Sequence, residues 1–145
     1  MTIYFYKIND KYGCFSNFAH YSFELDGKRW MTSEHYFQAQ KFCGTKYEEI
    51  IRLFDNPMKA AELGRNRELP LRLDWEQVKD SIMRKAVLAK FTQNEEIKKL
   101  LLSTGKEIII EKTFNDYYWG CGKDGSGKNM LGIILMEVRE KLSFN

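Results

Sequence analysis

Proline and histidine are scarce in this chain, with two of each in 145 residues, and there are only three cysteines. Two histidines and no HExxH sequence leave no zinc ligand set to read. Cys14, Cys43 and Cys121 form neither pairs nor a CxxC knuckle, so no disulfide framework is expected. We expect no metal and no cofactor. No stretch reaches the ~18 apolar residues of a membrane span. The opening segment, Met1–Gly13, has no charged leader followed by a long apolar run. These absences point to a cytoplasmic protein with reduced thiols and no membrane partner. An excess of one charge is also lacking. The chain has 23 basic and 20 acidic residues, net +3, which is not the strongly basic balance of a nucleic-acid-coating protein. A local basic pocket for a phosphorylated small molecule is compatible with that balance. There are no repeats, linkers or low-complexity tracts.

Aromatic residues are plentiful, at 14%, with three Trp, eight Tyr and ten Phe. They can fill a core or stack on bases. With 43% hydrophobic and 30% charged residues, the chain reads as one globular domain over residues 1–145, long enough to bury a core.

The element pattern is mixed. Thr2–Tyr6 is a short aromatic and β-branched run that predicts a strand. Tyr21–Leu25 alternates into Asp26-Gly27, a hairpin turn, and Lys28–Trp30 returns. Thr32 or Ser33 caps a helix running to about Phe42, closed by Gly44. Lys46–Phe54 and Pro57–Leu63 predict short helices, the second started by Asn56-Pro57 and ended by Gly64. Arg65–Asp74 is an arginine-rich loop, and Trp75–Thr92 a long amphipathic helix. Glu95–Ser103 predicts a helix, Glu107–Glu111 a strand and Met130–Leu142 a final helix. Without a regular βαβ alternation, the class is α+β, compact and mainly helical with a small β-sheet.

Asn115–Lys128 is rich in glycine. Gly120-Cys-Gly122-Lys-Asp-Gly125 matches GxGxxG, and Gly122 to Lys128 matches a phosphate loop except that Asn129 stands where a magnesium-binding Ser or Thr belongs. Neither lies between a buried strand and a helix of a βαβ unit, so neither specifies a dinucleotide or NTP site. Four glycines in eight residues could instead expose backbone N–H groups to a ligand, beside the N-terminus of the last helix. The alternative is a surface turn.

The first helix carries a polar stripe. At about 100° per residue, Glu34, Gln38 and Lys41 fall within ~60° of one another. Such a stripe is either a solvated face or the wall of a cleft. In a cleft, a Glu can exchange a proton with a leaving base and a neutral Lys can attack a sugar C1. The neutral amine is the difficulty, because a neighbouring carboxylate raises a lysine pKa and only desolvation opposes it.

In order along the chain stand Tyr12-Gly-Cys-Phe15-Ser16-Asn17-Phe18, Asp26-Gly27, Trp30-Met31-Thr-Ser-Glu34-His35 through Lys41-Phe42, and Ala60 through Arg65. Arg72-Leu-Asp74-Trp75, Lys90-Phe91-Thr-Gln-Asn94, Thr104-Gly105, Ile110-Glu111, Asp116 through Gly122 and Asn129 through Gly132 follow. This ordered set resembles the NADAR (YbiA-like) family over nearly the whole chain. Met31 stands where many relatives have Pro.

The resemblance implies an N-glycosidase that cleaves a C1–N ribosyl bond. Two substrate groups are associated with the family: phosphoribosylamino-pyrimidine intermediates of riboflavin synthesis, and ADP-ribose attached to guanine. Nucleic acid enters only as a modified substrate. By resemblance Lys41 is a Schiff-base nucleophile and Glu34 its proton-transfer partner, with Glu111 and Asp116 the next carboxylates near the sugar. Asn17, Phe18, His35, Arg65, Trp119, Gly120, Asn129 and Gly132 would surround the substrate. Arg72 has Asp74 as an alternative partner. A non-catalytic ADP-ribose-binding module and an oligonucleotide binder using the Arg65–Arg72 loop are the competing readings.

Overall fold

The computed structural model describes residues 1–144. Strands β1 (Ile3–Phe5), β2 (Phe23–Leu25), β3 (Lys28–Trp30) and β4 (Ile109–Glu111) are each three residues long. Six helices dominate the described residues: α1 (Ser33–Gln40), α2 (Lys46–Arg52), α3 (Pro57–Gly64), α4 (Trp75–Gln93), α5 (Glu95–Ser103) and α6 (Met130–Ser143). The α+β class and the element order agree with the sequence pattern, with ends differing by at most two residues. The small β component is two separate two-stranded sheets rather than one. In one, β1 and β4 run parallel with Ile3 opposite Ile109 and Phe5 opposite Glu111. In the other, β2 and β3 form the expected antiparallel hairpin, with Asp26 at φ 55° and Gly27 at φ 77° in the turn.

Side-chain caps start three helices, at Thr32 and Asn56 as the sequence suggests and at Thr45 besides. Thr32 accepts the His35 N–H, Thr45 the Tyr47 N–H, and Asn56 the Lys59 N–H ahead of Pro57. These bonds satisfy donors that a helix N-terminus otherwise leaves open.

Helix α1 is the hub. It packs against α2, α3 and α4, and all eight of its residues are buried. Tyr36 lies edge-on to Trp30 at 5.0 Å and donates its hydroxyl to Asp26 at 2.6 Å, tying the hairpin turn to the core. Phe15 makes edge contacts with Phe5 and Phe91, joining β1 to α4. On the opposite side α6 presses on β4 at Gly132, where a side chain would run into the Ile109 carbonyl and the Asn129 amide. The polar stripe of α1 is therefore not a solvated face: Glu34 and Gln38 are buried under packed helices, and Lys41, just past the helix, is half-buried.

Candidate active site

The stripe forms the centre of a charged cluster. Glu34 is only 8% exposed, and its Oε2 accepts from Gln38 Nε2 at 2.8 Å. The first-turn N–H of Glu34 donates to the Asn17 carbonyl at 3.1 Å. Lys41 follows the last turn of α1 as its C-cap and donates to the Gly64 carbonyl at 3.1 Å. Its ammonium position lies 5.8 Å from the ring centres of both Phe37 and Trp75. Trp119 meets Phe37 edge-on at 5.2 Å, and Trp75 packs on Phe37 at 5.1 Å, so three rings make one wall beside Lys41.

Electrostatics bind the carboxylates into the same neighbourhood. Burial raises the Glu34 pKa above the usual carboxylate range, with Asp116 adding to the rise and the Gln38 hydrogen bond, Lys41 and Arg65 opposing it. Burial likewise raises Glu111 to about 8, assisted by the charges of Asp116 and Glu34. Lys41 moves downward: desolvation outweighs Glu34, and Arg65 and Lys79 push the same way as desolvation. A lysine beside a carboxylate becomes easier to deprotonate when burial wins, and here it does.

Two clefts reach this cluster. One, of 610 Å³, is lined by Lys41, Gly64, Arg65, Arg67 and Trp75 among others. The second, of 630 Å³, includes Ser16, Phe18 and Glu111 with Tyr6 and Met58. The structure thus brings together Lys41 and Arg65 at one opening and Phe18 and Glu111 at the other, with Glu34 electrostatically coupled to both sets.

Other expected contact residues have internal tasks. Asn17 accepts the Ser33 hydroxyl at 2.8 Å and locks the start of α1. Asp116 accepts the N–H groups of Tyr118 and Trp119 through one oxygen, a local turn bond that sets the Trp119 backbone. His35 is fully buried. Its Nε2 donates to the Phe54 carbonyl at 3.0 Å, which leaves Nδ1 to accept from the Thr32 hydroxyl at 2.7 Å. Both ring nitrogens are engaged, which gives His35 a structural role at the start of α1.

Asn129 also bonds to backbone. It sits at φ 55°, accepts from Glu111 N at 3.0 Å and donates to Ile109 O at 2.9 Å, pairing with the edge of β4. Gly120 and Gly132 are places of close backbone packing, the former against Thr113. The C-terminal part of the glycine-rich loop spends its N–H groups within the fold. Gly127, Lys128, Asn129, Met130 and Leu131 all donate to carbonyls of residues 117–121, including the N–H groups that open α6. Arg72 pairs bidentately with Asp74 at 2.7 and 3.1 Å.

Sequence reasoning passed over Phe37, Trp75 and Gly64 as site residues. Trp75 and Gly64 belong to the ordered motifs, and Gln38 to the stripe, but nothing in one sequence separates a wall residue from core.

Residues 4–143 match the NADAR domain. This chain belongs to the NADAR family. It is 55% identical over 141 residues to N-glycosidase YbiA of Escherichia coli, covering 97% of this chain and 88% of that protein. An N-glycosidase of Nostoc punctiforme is 48% identical, with 98% and 93% covered. The NMR structure of the Escherichia coli protein YbiA superposes with a TM-score of 0.92 at 54% identity, over 99% of this chain and 86% of that one. A riboflavin biosynthesis protein of Vibrio vulnificus is 39% identical over 97% of this chain but only 38% of its own length. Similarity of this extent makes the NADAR chain an N-glycosidase, a hydrolase of N-glycosyl bonds.

Proposed function

We propose that this enzyme hydrolyses the C1–N ribosyl bond of a phosphorylated, nucleotide-like substrate through a lysine Schiff base. Phosphoribosylamino-pyrimidine intermediates of riboflavin synthesis are the first substrate choice. The observation that carries the reading is Lys41: burial lowers its pKa although Glu34 stands beside it. A neutral amine at neutral pH is what nucleophilic attack on C1 requires.

The steps follow from the residues. As the C1–N bond breaks, its electron pair leaves with the base, and cationic character grows on the sugar. Glu111, protonated up to about pH 8, supplies the proton for the leaving nitrogen. The Lys41 lone pair forms a bond to C1. The resulting glycosylamine gives up one amine proton, its ring oxygen takes up a proton as the C1–O bond opens, and a Schiff base results. Glu34 exchanges these protons. Water then adds to C1, and the sugar leaves as Lys41 returns to the free amine. Arg65 and Arg67 offer positive charge for phosphate at the Lys41 opening. The riboflavin biosynthesis names of relatives favour the pyrimidine substrate.

Removal of ADP-ribose from guanine is the second reading, favoured by clefts on two sides of the charged cluster, which give room for adenosine and two phosphates. A mass-spectrometric release assay comparing the two substrates decides between them. Borohydride added during turnover should attach the sugar to Lys41. Full turnover by Lys41→Ala, with no trapping in the wild type, would discard the lysine route.

A further inference from the structure

Lys90 is the most deeply buried charged side chain outside the cluster. It is 1% exposed, and its Nζ donates to the Ser16 carbonyl at 2.9 Å, its one hydrogen bond among the described residues. Among the described residues no carboxylate pairs with it; the titratable group that faces it is the Cys14 thiol on the neighbouring turn. A buried amine without an ion pair is costly, and a methionine of similar volume would fill the same space without that cost. The amine therefore needs a reason of another kind.

The reason lies in what Ser16 holds. The Ser16 carbonyl also accepts from Ala19 N at 3.1 Å, closing the Ser16–Ala19 turn. Asn17, next in the chain, accepts the Glu34 N–H through its carbonyl and the Ser33 hydroxyl through its side chain. A second bond from Asn17 Nδ2 to Met83 Sδ, at 3.5 Å, ties the same loop to α4, the helix that carries Lys90. Ser16 and Phe18 line the cleft that contains Glu111. One three-residue loop thus fixes the first turn of α1 and walls the second cleft.

We infer that Lys90 is a positioning residue for the glycosidase reaction, clamping the Ser16–Phe18 loop so that Glu34 and the Glu111 cleft keep their relative placement. This rests on the proposed role of Glu34. An amine donates a hydrogen bond in either protonation state, so the clamp persists as Lys90, lowered to about 7 by burial, titrates.

Amide hydrogen exchange with steady-state kinetics tests the inference. In Lys90→Met the Glu34 amide should exchange about tenfold faster or more, while the Leu101 amide in α5 keeps its wild-type rate. With whichever substrate the release assay identifies, kcat should fall about 10- to 100-fold, with KM changing far less. Should Lys90→Met fail to fold, Lys90→Gln carries the same measurements. A folded variant with wild-type exchange at Glu34, or with wild-type kcat, overturns the inference. Glu34→Gln, measured in parallel, separates the two levels. If it is inactive while Lys90→Met has wild-type kcat, the clamp alone is wrong. If Glu34→Gln keeps full turnover, the role of Glu34 falls and this inference falls with it.

Discussion

Gln38 donates to Glu34 across one turn of α1, yet its own Oε1 is buried with no donor among the described residues, packed against Gly64. The bond from Gln38 opposes the rise that burial imposes on the Glu34 pKa. The orphaned oxygen indicates how little freedom the amide has. Rotating it to satisfy Oε1 would turn an acceptor toward the Glu34 carboxylate. Gly64 also supplies the carbonyl that holds Lys41, so one backbone position serves both halves of the proposed machinery.

Gly64→Ala is expected to damage activity more than its size suggests. A methyl there would collide with Gln38 Oε1 and crowd its Cδ. Gln38 is buried, so moving it costs the bond to Glu34. We expect a loss of about 1–3 kcal/mol in stability, read by urea unfolding, with kcat about tenfold lower or worse. A variant as active and stable as the wild type would mean that Gln38 repacks freely.

Lys41→Arg separates charge from nucleophilicity. A guanidinium keeps the positive charge next to Glu34 but does not deprotonate. We expect activity to fall on the order of a thousandfold and borohydride trapping to disappear. Retention of more than a tenth of the wild-type rate would assign Lys41 an electrostatic role only.

The sequence pattern conveyed most of the fold because its signals are local. Asp26-Gly27 set a hairpin, Thr32 and Asn56 set helix starts, and a 3.6-residue apolar period set α4. The parallel pairing of β1 with β4 joins residues more than a hundred positions apart, and no local pattern encodes it. Burial of the Glu34 stripe was illegible for the same reason. A charged stripe looks alike whether water or α3 lies against it, and only the family resemblance singled it out. The backbone bonds of His35 and Asn129 were illegible because membership of a motif does not distinguish a ligand contact from a residue bonded to backbone. Lys90 heads one of the ordered motifs, yet its burial was illegible, since a lysine on an amphipathic helix is ordinarily read as surface.

Glu111 should set the alkaline limb of the rate profile. Its carboxyl stays protonated up to about 8, where an ordinary carboxylate would be ionised. If it donates the proton to the leaving base, kcat falls as pH rises through about 8. Asp116 and Glu34 contribute to the shift, so the measured value belongs to the coupled set. Glu111→Gln should lower kcat and remove this limb. Folding follows the same sign. A pKa raised in the native state gives stability that is complete below the unfolded carboxylate value and lost as pH rises through about 8. An unchanged alkaline limb in Glu111→Gln would transfer the acid role to another group.

Lys90 imposes the opposite slope on stability. Its native pKa, about 7, lies below the ordinary lysine value of 10.5. Between those values the unfolded chain binds a proton that the native protein releases, so the lysine's contribution to stability rises with pH across that window. One proton limits the slope to about 1.4 kcal/mol per pH unit. Below pH 7 the amine is charged in both states, and its buried ammonium weighs fully against folding. Lys90→Met should therefore gain most over the wild type at pH 6, with the gain shrinking steadily toward pH 10. Urea midpoints of both proteins at several pH values check this, since a carboxylate such as Glu111 contributes equally to both curves and cancels in the difference. A stability difference that stays flat from pH 6 to 10 would mean that Lys90 remains charged in the native protein, with its proton held more tightly than burial alone allows.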